Sequence, residues 1–243
     1  MPPKPRKPPP RAGAGRNRNL LIAAAAAAVV VVGLVAASLL LRGDDDSSAD
    51  ETTSGQVSTL LDGIPQDRAV LGSPDAKVTF IQFEDFQCPV CKTYQEEGFP
   101  GIVEEYVRPG EVKVRLVGLA FLGPDSEKAL LHVIAAGSQG KLWQLAEALY
   151  ANQGEENAGW VTDELLERLS GELGIDYEQL TEDADGAAAL QQANSMAAEA
   201  QQREVPGTPW FYVQVGDGEP YEVRPESFAI EEFRTILDDA LGS

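Results

Sequence analysis

The chain has 243 residues, of which 43% are hydrophobic, and it carries a formal net charge of −20 at pH 7. The hydrophobic content is that of a globular protein, and the length suffices for one domain with additional segments. All 39 acidic residues lie after position 42, accompanied by only 12 basic residues, so the body of the protein repels nucleic acid and anionic lipid surfaces.

The first 41 residues have the composition of a membrane-targeting segment. Residues 1–19 are basic, proline-rich and without periodicity, which predicts a disordered cytoplasmic tail. The uncharged stretch Leu20–Leu41 would form a helix about 33 Å long, enough to cross a hydrocarbon core. It predicts a single transmembrane helix with the body outside the cytoplasm. The alternative is a cleaved signal peptide, with small residues at 35–37 as the cleavage site.

A tether and the start of a folded domain follow this segment. Residues 42–56 are acidic and contain no large apolar residue, so we expect an extended tether. The domain is predicted to span residues 57–243. Its first strand is predicted over Val78–Phe86 and its first helix from Pro89 to about Val107, with Pro100 kinking or dividing that helix.

The remainder of the domain combines a second strand, a helical block and a hairpin. The alternation in "EVKVRLV" predicts the strand, and residues 125–203, rich in Ala, Leu, Glu and Gln, predict a helical insertion. About four helices are expected there, at 126–138, 141–152, 162–173 and 182–203. Two β runs around a Gly-Asp-Gly turn predict a hairpin. A terminal amphipathic helix should present one apolar face, formed by Phe228, Phe233, Ile236, Leu237 and Leu241. This order predicts an α/β fold with one sheet and helices on both of its faces.

Cys88 and Cys91, the only cysteines, form a C-P-V-C motif directly after the first strand. A zinc site needs four ligands, and the single histidine, His132, lies in a helical run where we interpret it as a packed helix residue. A copper-carrying dithiol remains an alternative. A purely structural disulfide would close almost no loop. The motif beside a strand–helix pattern favours a redox dithiol.

The position of the two thiols predicts different roles for them. Cys88 should occupy the N-cap of the helix, with Pro89 as the first helical residue. The N–H groups of Val90 and Cys91 then point at the Cys88 sulfur and, with the positive helix end, lower its pKa. We therefore expect the exposed Cys88 to form the mixed disulfide and the more buried Cys91 to resolve it. No metal, nucleotide or organic cofactor is indicated.

Four segments carry a resemblance to a known family: "VLGSPDAKVTFIQFEDFQCPVC", "GFPGIVEEYV", "GSQGKLWQLAEALYANQ" and "VPGTPWFYV". Together they resemble the DsbA-type thiol–disulfide oxidoreductases, which have a thioredoxin-like fold with a helical insertion. The resemblance covers about residues 64–241. It implies that Pro209 follows a cis peptide bond after Thr208, beside the disulfide. A cis bond there would leave the backbone of Thr208 free to pair with an extended substrate.

The resemblance also implies a function and partners. An extracytoplasmic enzyme of this kind would form disulfides in unfolded or reduced secreted proteins and would be reoxidised by a membrane redox partner coupled to quinone. A disulfide reductase or isomerase on the same fold is the alternative enzyme. A non-enzymatic peptide- or copper-binding module is the alternative from another class.

The chain departs from the family pattern at two places. Members often carry a histidine or tyrosine where this chain has Val90, which offers no polar group to the thiolate and predicts milder oxidising power. They also often carry a buried acid, as proton acceptor, six residues before the first cysteine, where this chain has Gln82. Glu84 and Asp85 lie closer to the motif, and we interpret them as solvated loop residues.

Overall fold

The computed structural model describes residues 59–243. The predicted tail, transmembrane helix and tether, residues 1–56, lie outside the described residues. Within residues 59–243, no helix is both long and apolar enough to cross a membrane.

A mixed sheet forms the centre of the described part. Its strands lie in the order β1-β2-β4-β3-β5-β6, and only β3 and β4 are parallel neighbours. All eight residues of β3 are buried. Because successive strand residues point to opposite faces, the sheet is covered on both faces. The bounds are β1 Gln66–Asp67, β2 Val70–Leu71, β3 Val78–Asp85, β4 Val112–Leu119, β5 Trp210–Val215 and β6 Tyr221–Val223.

The long strands and the hairpin lie where the sequence predicts them, whereas β1 and β2 were not predicted. Each of these two strands has two residues, too few to show a periodic pattern. They form because they pair with other strands: β2 runs antiparallel to β4, with Val70 opposite Arg115.

The helix predicted from Pro89 to about Val107 is divided, as expected, but at a glycine. Helix α1 (Pro89–Glu97) ends at Gly98, and α2 (Phe99–Ile102) continues into a π-helical turn (Val103–Val107). A Cβ on Gly98 would lie 2.7 Å from the Phe233 ring and 2.9 Å from the Phe228 carbonyl oxygen. The close approach of the C-terminal segment therefore requires glycine at this position.

The helical insertion between β4 and β5 contains five α-helices within the described residues, one more than the four predicted. The helix predicted at 182–203 is preceded by a separate helix, α6, that begins where the Asp176 side chain accepts a hydrogen bond from Gln179 N at 3.1 Å. The chain is extended at Gly186, which separates the two. The helices are α3 (Pro124–Ala136), α4 (Leu142–Ala151), α5 (Asp163–Leu173), α6 (Tyr177–Ala184) and α7 (Ala187–Gln202), with a 3-10 turn at Gly137–Gln139.

The terminal helix α8 spans Ile230–Leu241, so it begins after Phe228, the first residue of the predicted apolar face. Phe233 and Leu237 are buried, but Phe228 precedes the helix and Leu241 is 37% exposed. Ala240 takes the third buried position instead. Phe233 contacts the ring of Phe80, with centroids 5.9 Å apart.

An ion pair joins the insertion to the sheet, and aromatic stacking joins it to α2. Arg115 on β4 donates two hydrogen bonds, of 2.7 and 2.8 Å, to Glu199 on α7. The Trp143 ring on α4 stacks on the Phe99 ring, with centroids 5.6 Å apart. These contacts hold the insertion against β4 and against α2.

Candidate active site

Cys88 lies at the N-cap of α1, as the sequence predicts. β3 ends at Asp85, the chain is extended at Cys88 (φ −71°, ψ 116°), and Pro89 is the first helical residue. The expectation that Cys88 is exposed is wrong in degree: it is 6% exposed, whereas Cys91 is 0% exposed. The helical insertion covers this region more closely than the motif suggests, yet Cys88 keeps the better access.

The two thiols, both free in this structure, have opposite acidities. A hydrogen bond from the Cys91 thiol, helped by Thr208 and by the N–H groups of Cys91 and Val90, outweighs burial and lowers the pKa of Cys88 to about 6. Burial, and then the hydrogen bond to Cys88, raises the pKa of Cys91 well above its ordinary value. At neutral pH, Cys88 is a thiolate and Cys91 a thiol.

This difference predicts the pH dependence of alkylation. The rate at which iodoacetamide modifies the reduced protein should rise through a single midpoint near pH 6, because the Cys88 thiolate is the reactive species. Mass spectrometry of peptides should place the label on Cys88 alone. A midpoint near the ordinary thiol value of 9.0 would contradict this picture of the site.

The peptide bond between Thr208 and Pro209 is cis, as the resemblance implies. Cys88 Sγ lies 3.4 Å from the Thr208 carbonyl oxygen, which can accept a hydrogen bond from this sulfur only when Cys88 is protonated. β5 begins at the next residue, Trp210, opposite Phe83 of β3. The sheet register therefore brings Thr208 beside the sulfur of Cys88, although the two residues are 120 positions apart in the sequence.

The surface around Cys88 is apolar and open. Val90 is 49% exposed and Phe121, in the loop after β4, is 56% exposed. An open cavity of about 550 Å³ lies between this loop, α7 and the segment before Thr208. Its lining includes Phe121, Val205 and Gly207. Gly207 precedes Thr208, whose carbonyl oxygen lies 3.4 Å from Cys88 Sγ. A cavity of this kind can accept apolar side chains.

The interpretation of Glu84 and Asp85 as solvated loop residues is wrong. Both belong to β3 and both are 0% exposed, like Gln82. Their sequence does not show this, because acidic side chains are normally exposed and the strand was predicted only by its apolar residues. The parallel pairing with β4 and the insertion above them bury all three side chains.

Asp85 organises the loops around the motif. One carboxylate oxygen accepts hydrogen bonds from Gln87 N (2.9 Å) and the Ser126 hydroxyl. The other accepts from Phe121 N (3.0 Å) and Leu122 N (3.3 Å). A single side chain thus ties the turn before Cys88 to the loop after β4 and to the start of α3.

Glu84 is a buried acid near the position where family members often carry their buried proton acceptor and this chain has Gln82. Gln95 on α1 donates to both of its oxygens, at 2.7 and 2.8 Å. Burial raises the pKa of Glu84 to about 7, against the hydrogen bonds from Gln95 and Tyr150 and assisted by the charge of Cys88. The charge of Glu84 in turn acts on Cys91. A carboxyl with this pKa can both give and take a proton at neutral pH.

Sequence reasoning missed Gln153, which supports the active-site turn. Its amide nitrogen donates to the carbonyl oxygens of Phe86 (2.7 Å) and Cys88 (3.2 Å). Gln153 closes the segment "GSQGKLWQLAEALYANQ", so its place in a segment shared with the family was the available signal. His132 lies elsewhere, on α3, buried and with its Nδ1 2.8 Å from the Lys128 carbonyl oxygen, as a packed helix residue.

Among residues 59–243, no three histidine, cysteine, aspartate or glutamate side chains gather as metal ligands. The site brings together two sulfurs, the buried acids Glu84 and Asp85, and backbone groups. That donor set can open and re-form a disulfide and can move the associated proton.

Comparison with known proteins places this site in a family. The model of the Thioredoxin family matches residues 65–239. The chain belongs to this family. It is 32% identical over 167 residues to the Disulfide bond formation protein D of Bacillus subtilis, covering 68% of this chain and 72% of that protein.

Solved structures agree with the match. The oxidised BdbD of Bacillus subtilis superposes with a TM-score of 0.63 and 28% identity, covering 74% of this chain and 97% of that one. The α-DsbA1 of Wolbachia pipientis, at 16% identity and a TM-score of 0.60, shares the fold. This thioredoxin-family chain thus has the DsbA-type fold that its sequence resembles, and it is a thiol–disulfide oxidoreductase.

Proposed function

We propose that this oxidoreductase forms disulfide bonds in unfolded or reduced secreted proteins, with Cys88 and Cys91 as its redox couple. The observation that carries the proposal is the low pKa of Cys88 at the start of α1 beside the high pKa of Cys91. Stabilising the Cys88 thiolate stabilises the reduced protein, which makes the Cys88–Cys91 disulfide a better oxidant.

The exchange proceeds in two steps. A substrate thiolate attacks Cys88 Sγ, the Cys88–Cys91 bond breaks, and its electron pair leaves on Cys91, which takes a proton from Glu84. A second substrate thiolate then attacks the substrate sulfur of the mixed disulfide and releases the Cys88 thiolate. The substrate loses two electrons and the protein gains them. Glu84 is the proton donor in this direction and the acceptor in the reverse one.

The substrate is an extended, reduced polypeptide. Thr208 supplies a backbone carbonyl beside Cys88 Sγ, suited to pair with an extended chain. The exposed Val90 and Phe121 contact its apolar side chains. Pro89 and Pro209 hold the two backbone segments that flank the sulfur.

The cellular setting is part of the proposal. Leu20–Leu41 anchors the protein as a single span, residues 1–19 stay in the cytoplasm, and residues 42–56 tether the catalytic domain outside, where disulfides persist. A membrane redox partner then reoxidises the dithiol. The name of the Bacillus subtilis relative, a disulfide bond formation protein, supports this direction of electron flow.

The direction is tested by equilibrating the protein with reduced and oxidised glutathione and separating the thiol forms by mass. We expect the reduced protein to dominate in mixtures that keep ordinary protein thiols oxidised, and the oxidised protein to oxidise a reduced two-cysteine peptide. A Cys91→Ser variant should accumulate the mixed disulfide on Cys88. A protein that instead reduces the oxidised peptide is a reductase, and one that binds Cu(I) stoichiometrically without thiol exchange is a metal-binding module; either result overturns the proposal.

A further inference from the structure

The segment that delivers the chain from β3 to Cys88 is a β-turn. Cys88 N donates to the Asp85 carbonyl oxygen at 2.9 Å, which makes Phe86 and Gln87 the two central residues. The orientation of the peptide group between the central residues is what distinguishes the common turn types. This orientation therefore decides how the chain enters α1 and where the Cys88 sulfur lies.

Side chains hold both ends of this central peptide. Its N–H, which belongs to Gln87, donates to Asp85 Oδ1 at 2.9 Å. Its carbonyl oxygen, which belongs to Phe86, accepts a hydrogen bond from Gln153 Nε2 at 2.7 Å. The same Gln153 nitrogen donates to the Cys88 carbonyl oxygen at 3.2 Å. Gln153 thus binds the backbone both within the turn and at the nucleophile itself.

Gln153 lies in the loop after α4, and this loop is fastened at two further points. Asn157 N donates to Gln87 Oε1 at 2.7 Å, and Gln87 is 1% exposed. Farther along the loop, Gly159 N donates to Asp125 Oδ2 on α3 at 2.8 Å. The loop is therefore tied to the turn and to α3, which gives the Gln153 side chain a fixed base.

The orientation of the turn matters because the sulfur is sensitive to the dipoles around it. The Cys91 thiol and the N–H groups of Cys91 and Val90 hydrogen-bond to the Cys88 sulfur and favour its thiolate. A carbonyl oxygen is the negative end of a peptide dipole and has the opposite effect. Without the donor on the Phe86 and Cys88 carbonyl oxygens, the central peptide can rotate, and the N–H groups of α1 converge less closely on the sulfur.

We propose that Gln153 is a positioning residue for thiol–disulfide exchange, which fixes the turn before Cys88 so that the start of α1 meets the sulfur in its reactive orientation. The proposal rests on the exchange reaction proposed above. Gln153 acts through the carbonyl oxygens of Phe86 and Cys88. The helical insertion, in addition to the C-P-V-C motif, therefore sets how strongly the disulfide oxidises.

The Gln153→Met variant removes the donor and keeps a side chain of similar length. The pH midpoint of Cys88 alkylation by iodoacetamide should rise by about half a unit or more, because the thiolate loses part of its stabilisation. The equilibrium with glutathione at pH 7 should move about threefold toward the oxidised protein, since a less stable thiolate makes the disulfide a weaker oxidant. Mass separation of the thiol forms measures this equilibrium.

Gln144→Met is the matched control. Gln144 is a half-buried glutamine on α4, like Gln153 in exposure, but it accepts a hydrogen bond from Gln66 at 2.9 Å instead of holding the active-site turn. The control should keep the wild-type midpoint and equilibrium even where it lowers stability as much as Gln153→Met does. An equal shift in both variants overturns the proposal, because it indicates a general loss of packing.

Gln153→Asn provides a second variant, should the methionine variant fold poorly. It keeps a polar amide but is one methylene too short to reach both carbonyl oxygens, so its midpoint should move in the same direction. A wild-type midpoint and equilibrium in a folded Gln153 variant overturn the positioning role, even when the protein oxidises a two-cysteine peptide. A chain that shows both shifts but oxidises no such peptide supports the positioning role and refutes the proposed function instead.

Discussion

Replacing Cys88 with serine should reduce thiol–disulfide exchange by about 1,000-fold or more, to the uncatalysed rate. A hydroxyl does not ionise near neutral pH and does not form a disulfide, so neither the nucleophile nor the mixed disulfide exists. Cys91 does not substitute for it, because it is 0% exposed and its pKa is raised well above the ordinary value. Oxidation of a fluorescent two-cysteine peptide measures the loss.

Cys91→Ser is the matched comparison for that variant. It keeps the Cys88 thiolate and should still react once with a disulfide, whose other sulfur leaves as a thiolate, but the product should persist as a mixed disulfide. Two variants that each remove one sulfur from neighbouring positions should thus fail at different steps. Turnover by the Cys88→Ser protein through Cys91 alone would refute the division of roles between the two sulfurs.

Replacing Asp85 with alanine should lower the free energy of unfolding of the reduced protein by about 3 kcal/mol or more. The variant removes the acceptors of Gln87 N, Phe121 N and Leu122 N and of the Ser126 hydroxyl. A buried donor left without a partner costs about 1–3 kcal/mol. Urea denaturation followed by tryptophan fluorescence measures the change.

The control for Asp85 is Glu156→Ala, which removes an exposed acid from the loop after α4. It should change the free energy of unfolding by no more than about 0.5 kcal/mol. Because the Asp85 bonds hold both loops beside Cys88, the Asp85→Ala variant should also lose activity under conditions where it remains folded. Equal stability of the two variants would show that the loops are held by other contacts.

The sequence predicts the repeating elements well because they depend on local patterns. The apolar runs of β3 and β4 and the glycine-separated helices of the insertion were visible at the expected positions. Elements without a pattern were not: β1 and β2 are too short, and α6 begins at an Asp176 cap inside a stretch that reads as one longer polar run. The apolar stripe of α8 was predicted too long because its last member, Leu241, finds no neighbour to cover it.

The sequence alone determined the chemistry of the sulfurs, because a C-P-V-C motif between a strand and a helix places one cysteine at the helix start by covalent connection alone. Only the tertiary structure decided the environment of the acids. Glu84 and Glu147 are 63 positions apart and are polar residue types that normally face solvent, so nothing local marks them as buried. Their titration depends on the packing of β3, α1 and α4 around one another, since desolvation and like charge arise only when distant parts of the chain exclude water together.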